Sequence, residues 1–216
     1  MTRPARVVVV TGTATEVGKT WFAAATLAEL RALGVSVAAR KPVQSFEPGT
    51  GATDAAVLAG ATGEDPDEVC PPHRSLALPM APPMAADALG AATFTIADLV
   101  AELRWPPATD LGLVEGVGGP RSPLAADGDT VDLVAALDPD LVVVVADAGL
   151  GAINAVLLAT APFVGREIVA ALNRFDVDND LHRRNRDWLV ERGRVDVVTD
   201  ARSLARRVRP RRSVEA

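Results

Sequence analysis

The stretch Val7–Thr20 reads VVVVTGTATEVGKT: four valines, a glycine-bearing loop, then Gly-Lys-Thr leading into an amphipathic run. Four β-branched residues without a polar alternate leave no face for water. Val7–Val10 is therefore expected as the central strand of a parallel sheet covered on both sides. Beyond the loop, Phe22, Leu27, Leu30 and Leu33 recur at helical spacing through Thr20–Leu33, and Gly34 stands where a helix C-cap belongs. Strand, loop and helix in that order are the setting a phosphate-binding loop requires, because backbone N–H groups and the positive helix end both face the anion. Lys19 then supplies a point charge for the β- and γ-phosphates, and the Thr20 hydroxyl is placed for Mg²⁺. Five residues, Thr13–Val17, separate Gly12 from Gly18, one more than the short form of the pattern has.

Charge usage points the same way. Of the 22 basic side chains only Lys19 and Lys41 are lysines, one in the loop and one at the end of the next apolar run. A compact ammonium meets a transferring phosphoryl group differently from arginine's planar fork, so both lysines are candidate catalytic residues.

The chain has 216 residues, 49% of them apolar, enough for one α/β domain with a sizeable core. We expect a single domain over residues 1–205 and a basic, frayed tail over 206–216. No uninterrupted apolar run approaches the roughly 18 residues of a membrane span. Residues 1–6 lead straight into the first strand, which leaves no room for a signal peptide and makes the cytoplasm the expected location. One cysteine, Cys70, excludes an internal disulfide framework, and two histidines argue against a histidine-based metal site. Net charge is −10 over residues 1–165 and +4 over 166–216. The basic stretches His182–Arg186 and Arg206–Arg212 lack interleaved aromatics, so a solvated helix face is expected there rather than a nucleic-acid contact.

Val35–Ala39 reads as the second strand. Pro42 ends its ladder and places Lys41 at the carboxyl end, where open α/β sheets bind ligands. Asp54 opens a short helix, Asp54–Gly60, either as a simple cap or as a site residue. Residues 64–83, rich in proline and acid, read as a long ordered loop of the kind that forms lids. Thr95 and Asp98 resemble a capping box for a helix at Ile96–Arg104. Leu111–Glu115 is a buried strand whose terminal acid precedes Gly116-Val117-Gly118-Gly119; in a phosphate-loop protein that acid is the natural second Mg²⁺ partner. Helices follow at Thr130–Leu137, Asn154–Thr160 and Asp200–Val208, and strands at Leu141–Ala146, Ile168–Leu172 and Val195–Thr199. The alternation predicts a three-layer, P-loop NTPase-like α/β fold, with a mostly parallel sheet and helices on both faces. Lys19, Thr20, Lys41, Glu115, Asn154 and Asn173 should converge on one edge.

Taken together, GTATEVGKT, KPVQS, TDAAVL, VEGVGG and GLGAINAVLL resemble, in order and spacing, the motifs of the dethiobiotin synthetases. The resemblance spans roughly Val7–Asn173. It implies an ATP- and Mg²⁺-dependent homodimer that converts 7,8-diaminononanoate and CO₂ to dethiobiotin through a carbamate and a carbamic–phosphoric anhydride. By that resemblance Lys19 and Lys41 stabilise carbamate and γ-phosphate charge. Thr13, Thr15, Glu16, Val17, Gly18, Lys19, Thr20, Glu115 and Asn173 contact nucleotide, Asn173 at the adenine. Thr15, Ser45, Gly118, Gly151, Ile153 and Asn154 contact substrate, the 149–154 turn across the dimer interface. Thr20, Asp54 and Glu115 hold Mg²⁺. The chain departs from the family pattern at Ala14, where an aspartate is common, and at Phe46, where a glycine is usual and a phenyl ring would narrow the pocket. It departs again after Asn173, where the adenine-contacting segment is unrecognisable unless VDVVTDAR is its remnant; other nucleoside triphosphates then become candidates. Two alternatives stand beside this reading. A related amidoligase-type ATPase would carry a glutaminase domain with a nucleophilic cysteine. A non-catalytic nucleotide-binding module of partitioning type would carry a signature lysine early in the loop, where Thr13-Ala14-Thr15-Glu16 stands.

Overall fold

The computed structural model describes residues 2–210. In chain order the elements are β1 (Arg6–Gly12), α1 (Lys19–Ala32), β2 (Val37–Arg40), β3 (Gln44–Ser45), α2 (Asp54–Thr62), α3 (Pro66–Val69), β4 (Ser75–Leu76), α4 (Pro82–Ala88), α5 (Ile96–Glu102), β5 (Leu111–Glu115), β6 (Pro123–Ala125), β7 (Gly128–Asp129), α6 (Thr130–Leu137), β8 (Leu141–Asp147), α7 (Ala152–Thr160), β9 (Ile168–Asn173), α8 (Asp180–Glu191), β10 (Asp196–Val198) and α9 (Ala201–Val208). Six of the strands form one all-parallel sheet in the order β10-β9-β8-β1-β5-β2.

The valine run of β1 is central, as its composition requires, and its two faces feed different layers. Val8 and Val10 pack with Leu111, Leu113, Val143 and Val145 beneath α1, α2 and α9. Val7 and Val9 pack with Val114, Val142 and Val144 against α5 and α6 on the other side. Period-2 alternation thus splits an unbroken apolar run between two helix layers. Because β1 lies between β5 and β8, the chain reverses direction across the sheet at β1, and a crevice opens there at the carboxyl ends.

One expectation is corrected. Residues 64–83 are not a plain loop: Asp65 and Glu68 form a capping box for α3, and β4 pairs in parallel with β3. Helix α9 runs to the buried Val208, into the range expected as tail, and Arg207 pairs with Asp196 and Glu167. Residues 211–216 of the expected tail lie outside the described residues. The elements α4 and α8, which the sequence reading did not delimit, complete the helix layers.

Candidate active site

The phosphate loop is held open by backbone geometry that its sequence supplies. Gly18, at the N-cap of α1, has φ +88°, and a Cβ there would stand 2.1 Å from Asn173 Nδ2. Only glycine satisfies both demands. Glu16 also lies in the left-handed region (φ 61°), a conformation that in turns of this kind gathers successive N–H groups into an anion-binding concavity. Gly12 N donates to the Gly118 carbonyl (3.2 Å) and Thr13 N to the Val145 carbonyl (2.8 Å), tying the loop to the turn after β5 and to β8.

Beside the loop lies a polar cluster assembled from four segments. Lys41 Nζ, 1% exposed, donates to Glu115 Oε1 (2.6 Å) and the Gly116 carbonyl (2.9 Å), and pairs with Asp54 Oδ2 at 2.7 Å. The Thr20 hydroxyl is 2.8 Å from Asp54 Oδ1 and 2.9 Å from Glu115 Oε1, so its one proton serves two carboxylates. Lys19 Nζ donates to the Ala14 carbonyl (3.1 Å). The helix placing Asp54 is capped by Thr53, whose side chain accepts from Ala56 N (3.2 Å). Asp54 is therefore the first residue inside α2 rather than its cap, and its carboxylate is free to reach Thr20 and Lys41.

The electrostatics follow from burial and proximity. Burial alone would depress the Lys41 ammonium, but the Glu115 and Asp54 carboxylates reverse this and hold it above the ordinary lysine range. Burial lifts the fully enclosed Glu115 carboxyl, and Lys41 offsets only part of that. Asp54, against the pull of burial, is held low by Lys41 and Thr20. Burial, and next to it Lys41, depress Lys19, whose nearest partner is a neutral carbonyl. Glu115 Oε2 is buried without a hydrogen-bond partner. That orphaned oxygen, with Asp54 and the Thr20 hydroxyl, makes a hard-oxygen set of the size Mg²⁺ uses when phosphates and waters complete its shell. Among the described residues no group of three or more His, Cys, Asp or Glu side chains could by itself hold an ion.

A cleft of about 560 Å³ opens beside this cluster, lined by Thr15, Glu16, Gly18, Lys19, Thr20, Lys41, Ser45, Asp54, Val117 and Gly118; the fully buried Glu115 lies behind Lys41 and Thr20, outside the lining. The segment Pro79–Pro82 forms its opposite wall, and the Ser45 hydroxyl donates to the Met80 carbonyl (2.6 Å). Phe46 is not in this lining; its N–H donates to the Leu76 carbonyl (3.0 Å) where β3 meets β4. A groove sharing Thr15, Ser122 and Pro123 with the cleft continues past Thr13 and Ala14 to Asn154 on α7. Asn173 lies on the far side of Gly18, where its Nδ2 donates to the Val17 carbonyl (2.9 Å). The expected single edge is thus three adjoining compartments.

Gly151 and Ile153 line neither the cleft nor the groove. Gly151 (φ 91°) caps α7, which begins two residues earlier than expected, and Ile153 packs among Ala148, Val156 and Leu189. Val17 contributes its carbonyl, its side chain being buried in the core. Sequence reasoning passed over Ser122, which borders both spaces and accepts from Gly119 N (2.9 Å), and over Trp21, 61% exposed beside the loop. A large aromatic on the outer face of a helix was the available signal for the latter. Cys70 is no nucleophile, because burial pushes its thiol up to about 12.

The profile of the AAA domain family (AAA_26) matches residues 6–202. The ATP-dependent dethiobiotin synthetase BioD of Rhodococcus jostii is 41% identical over 150 residues, which cover 68% of this chain and 63% of that protein. The BioD of Anaeromyxobacter dehalogenans is 38% identical over 177 residues, 79% of this chain and 78% of that one. Among solved structures, a plasmid partition protein from Borrelia burgdorferi superposes with a TM-score of 0.54 at 13% identity over 95% of this chain and 96% of that one, a likeness of fold alone. With both lysines in one cleft and identity sustained over most of the chain, the chain belongs to the ATP-dependent dethiobiotin synthetase family.

Proposed function

We propose that this protein carboxylates and cyclises 7,8-diaminononanoate with CO₂ and ATP to give dethiobiotin, ADP and phosphate. The observation that carries the reading is the meeting of the only two lysines with Thr20, Asp54 and Ser45 around one cleft, with the buried Glu115 bonded to Lys41 and Thr20 behind it. A substrate amine first adds to CO₂ and loses a proton, giving a carbamate. A carbamate oxygen attacks the γ-phosphorus and ADP leaves. The second amine then attacks the carbamoyl carbon, closing the ureido ring and expelling phosphate. Such a sequence needs positioning and charge neutralisation more than a covalent protein group.

The residues divide that work by location. The Thr13–Gly18 backbone cradles the phosphates, and Lys19 reaches the transferring group by releasing only a neutral carbonyl. Lys41, kept cationic by its two carboxylates, neutralises charge on the carbamate and γ-phosphate. Ser45 hydrogen-bonds the carbamate from the cleft wall. Thr20, Asp54 and Glu115 hold Mg²⁺, which when bound supplies positive charge to the phosphate oxygens. Asn154 and the groove leading to it accommodate the acid end of the substrate.

A homodimer fits the outer end of that groove, where Leu158 (67%) stands exposed with Asn154 in the lining, and Leu150 (93%) stands exposed on the turn before α7. The location proposed is the cytoplasm; among the described residues no helix is long and apolar enough to cross a membrane. No nucleic-acid partner is proposed, since Arg183, Arg184, Arg186 and Arg207 are paired with acids of their own neighbourhood.

The test is phosphate release from MgATP with and without diaminononanoate and bicarbonate. Release should require both, and Ser45→Ala should lower kcat/KM by about 10²-fold, the scale for removing one donor to developing charge. Nucleotide binding with no substrate-dependent release would return the chain to the non-catalytic alternative.

A further inference from the structure

Behind Gly18 lies a third space of about 510 Å³ whose lining includes an acidic residue that no step above uses. Trp21 and Phe175 supply aromatic surface, and Asn173 and Arg174 join them to the phosphate loop. The Asn173 amide orientation is set by chemistry: only its nitrogen can donate to the Val17 carbonyl, which leaves Oδ1 free of protein donors among the described residues. Arg174 Nη2 donates to the Glu16 carbonyl (3.1 Å) while Nη1 pairs with Asp147 (2.9 Å), clamping the end of β9 to the loop. The remaining wall is Thr199-Asp200-Ala201. Asp200 caps α9, with Oδ1 accepting from Ser203 N and Oδ2 from the Ser203 hydroxyl, both at 2.7 Å. A carboxylate has about four acceptor positions, so capping leaves Asp200 able to accept more. The nearby Asp176 is not in the lining.

We propose that Asp200 selects the nucleobase: it accepts the exocyclic amine of adenine or cytosine and rejects bases with a keto oxygen in that place. The assignment rests on reading the chain as nucleoside-triphosphate-dependent. Flat aromatic surface takes any base, because every base has a π-face. Discrimination must come from the polar edge, and here that edge is rich in acceptors: the Asp200 carboxylate and Asn173 Oδ1. An amino group donates to such an edge. A carbonyl oxygen against it leaves oxygen facing oxygen with no proton between them.

ATP against ITP, and CTP against UTP, are pairs in which an amine is exchanged for a keto oxygen. Equilibrium binding of the four Mg-nucleotides is measured without diaminononanoate, on the wild-type protein and on Asp200→Asn. Asparagine caps a helix as well as aspartate does, so the variant keeps α9 while gaining an N–H donor. The wild type should favour the amino member of each pair by about 10-fold, and Asp200→Asn should bring both ratios toward one. Equal affinities within the wild-type pairs, or ratios unchanged by the substitution, overturn the proposal. Amino-selective binding without diaminononanoate-dependent phosphate release would leave the base assignment standing and overturn the synthetase reading; release without amino selectivity would do the reverse.

Discussion

Lys41→Met removes an ammonium from a closed site and keeps a side chain of comparable reach. Lys41 is 1% and Glu115 0% exposed, so the variant leaves a fully buried carboxylate whose remaining side-chain partner is the Thr20 hydroxyl. Stripping one partner from a buried pair costs about 3–5 kcal/mol. For a chain of this size that corresponds to a Tm lower by roughly 6–20 °C. The loss should depend on pH, and its sign follows from Glu115. Burial already lifts this carboxyl above its ordinary range, and without Lys41 it rises further. The folded variant then holds a proton that the unfolded chain has released, so stability falls as pH climbs from the ordinary glutamate value toward the folded one. The limiting slope is about 1.4 kcal/mol per pH unit. Urea denaturation of the ligand-free protein between pH 5 and 8 reads this directly: the deficit against wild type should be small at the acid end and grow with pH. The double variant Lys41→Met/Glu115→Gln should recover at least about 2 kcal/mol at pH 8, since no buried charge is left alone. A deficit that stays constant from pH 5 to 8, or a double variant no more stable than the single one, would refute the reasoning.

Two further predictions are structural. Gly18→Ala should cost about 1–2 kcal/mol for the left-handed backbone, with overpacking against Asn173 adding about 1–3 kcal/mol; calorimetry and loss of MgATP binding report it together. Thr53→Ala removes the cap of α2 and should cost about 1 kcal/mol, while nucleotide affinity falls because Asp54 is set by that helix; isothermal titration on the folded variant separates the two effects.

The phosphate loop, Lys41 and Glu115 were legible in the chain because each is announced by its immediate neighbours. Four valines can only be a central strand, Pro42 stops the strand that carries Lys41, and glycines follow Glu115. The stretch 64–83 was not legible, because β4 exists only by pairing with β3, whose residues lie about thirty positions earlier. Its capping box at Asp65 and Glu68 was a local signal that could have been read. Whether Asp54 caps α2 or serves the site stayed open in the sequence for a related reason: Thr53 and Asp54 are both good cap residues, and only the reach of Asp54 to Lys41 decides between them. Within the single chain Gly151 serves as the backbone cap of α7 and Ile153 packs against the core, so neither lines the chain's own cleft.

By itself the sequence determined the strand–loop–helix phosphate site, the parallel α/β architecture and the family, since all three rest on local patterns: β-branched runs, helical spacing, glycines with special φ. Tertiary structure alone decided that Lys41 neutralises two carboxylates, that Glu115 keeps one oxygen unpartnered, and that Trp21, Asn173 and Asp200 share a wall-to-wall pocket. Those facts depend on distances between residues up to 179 positions apart, from Trp21 to Asp200, and only packing brings such residues together.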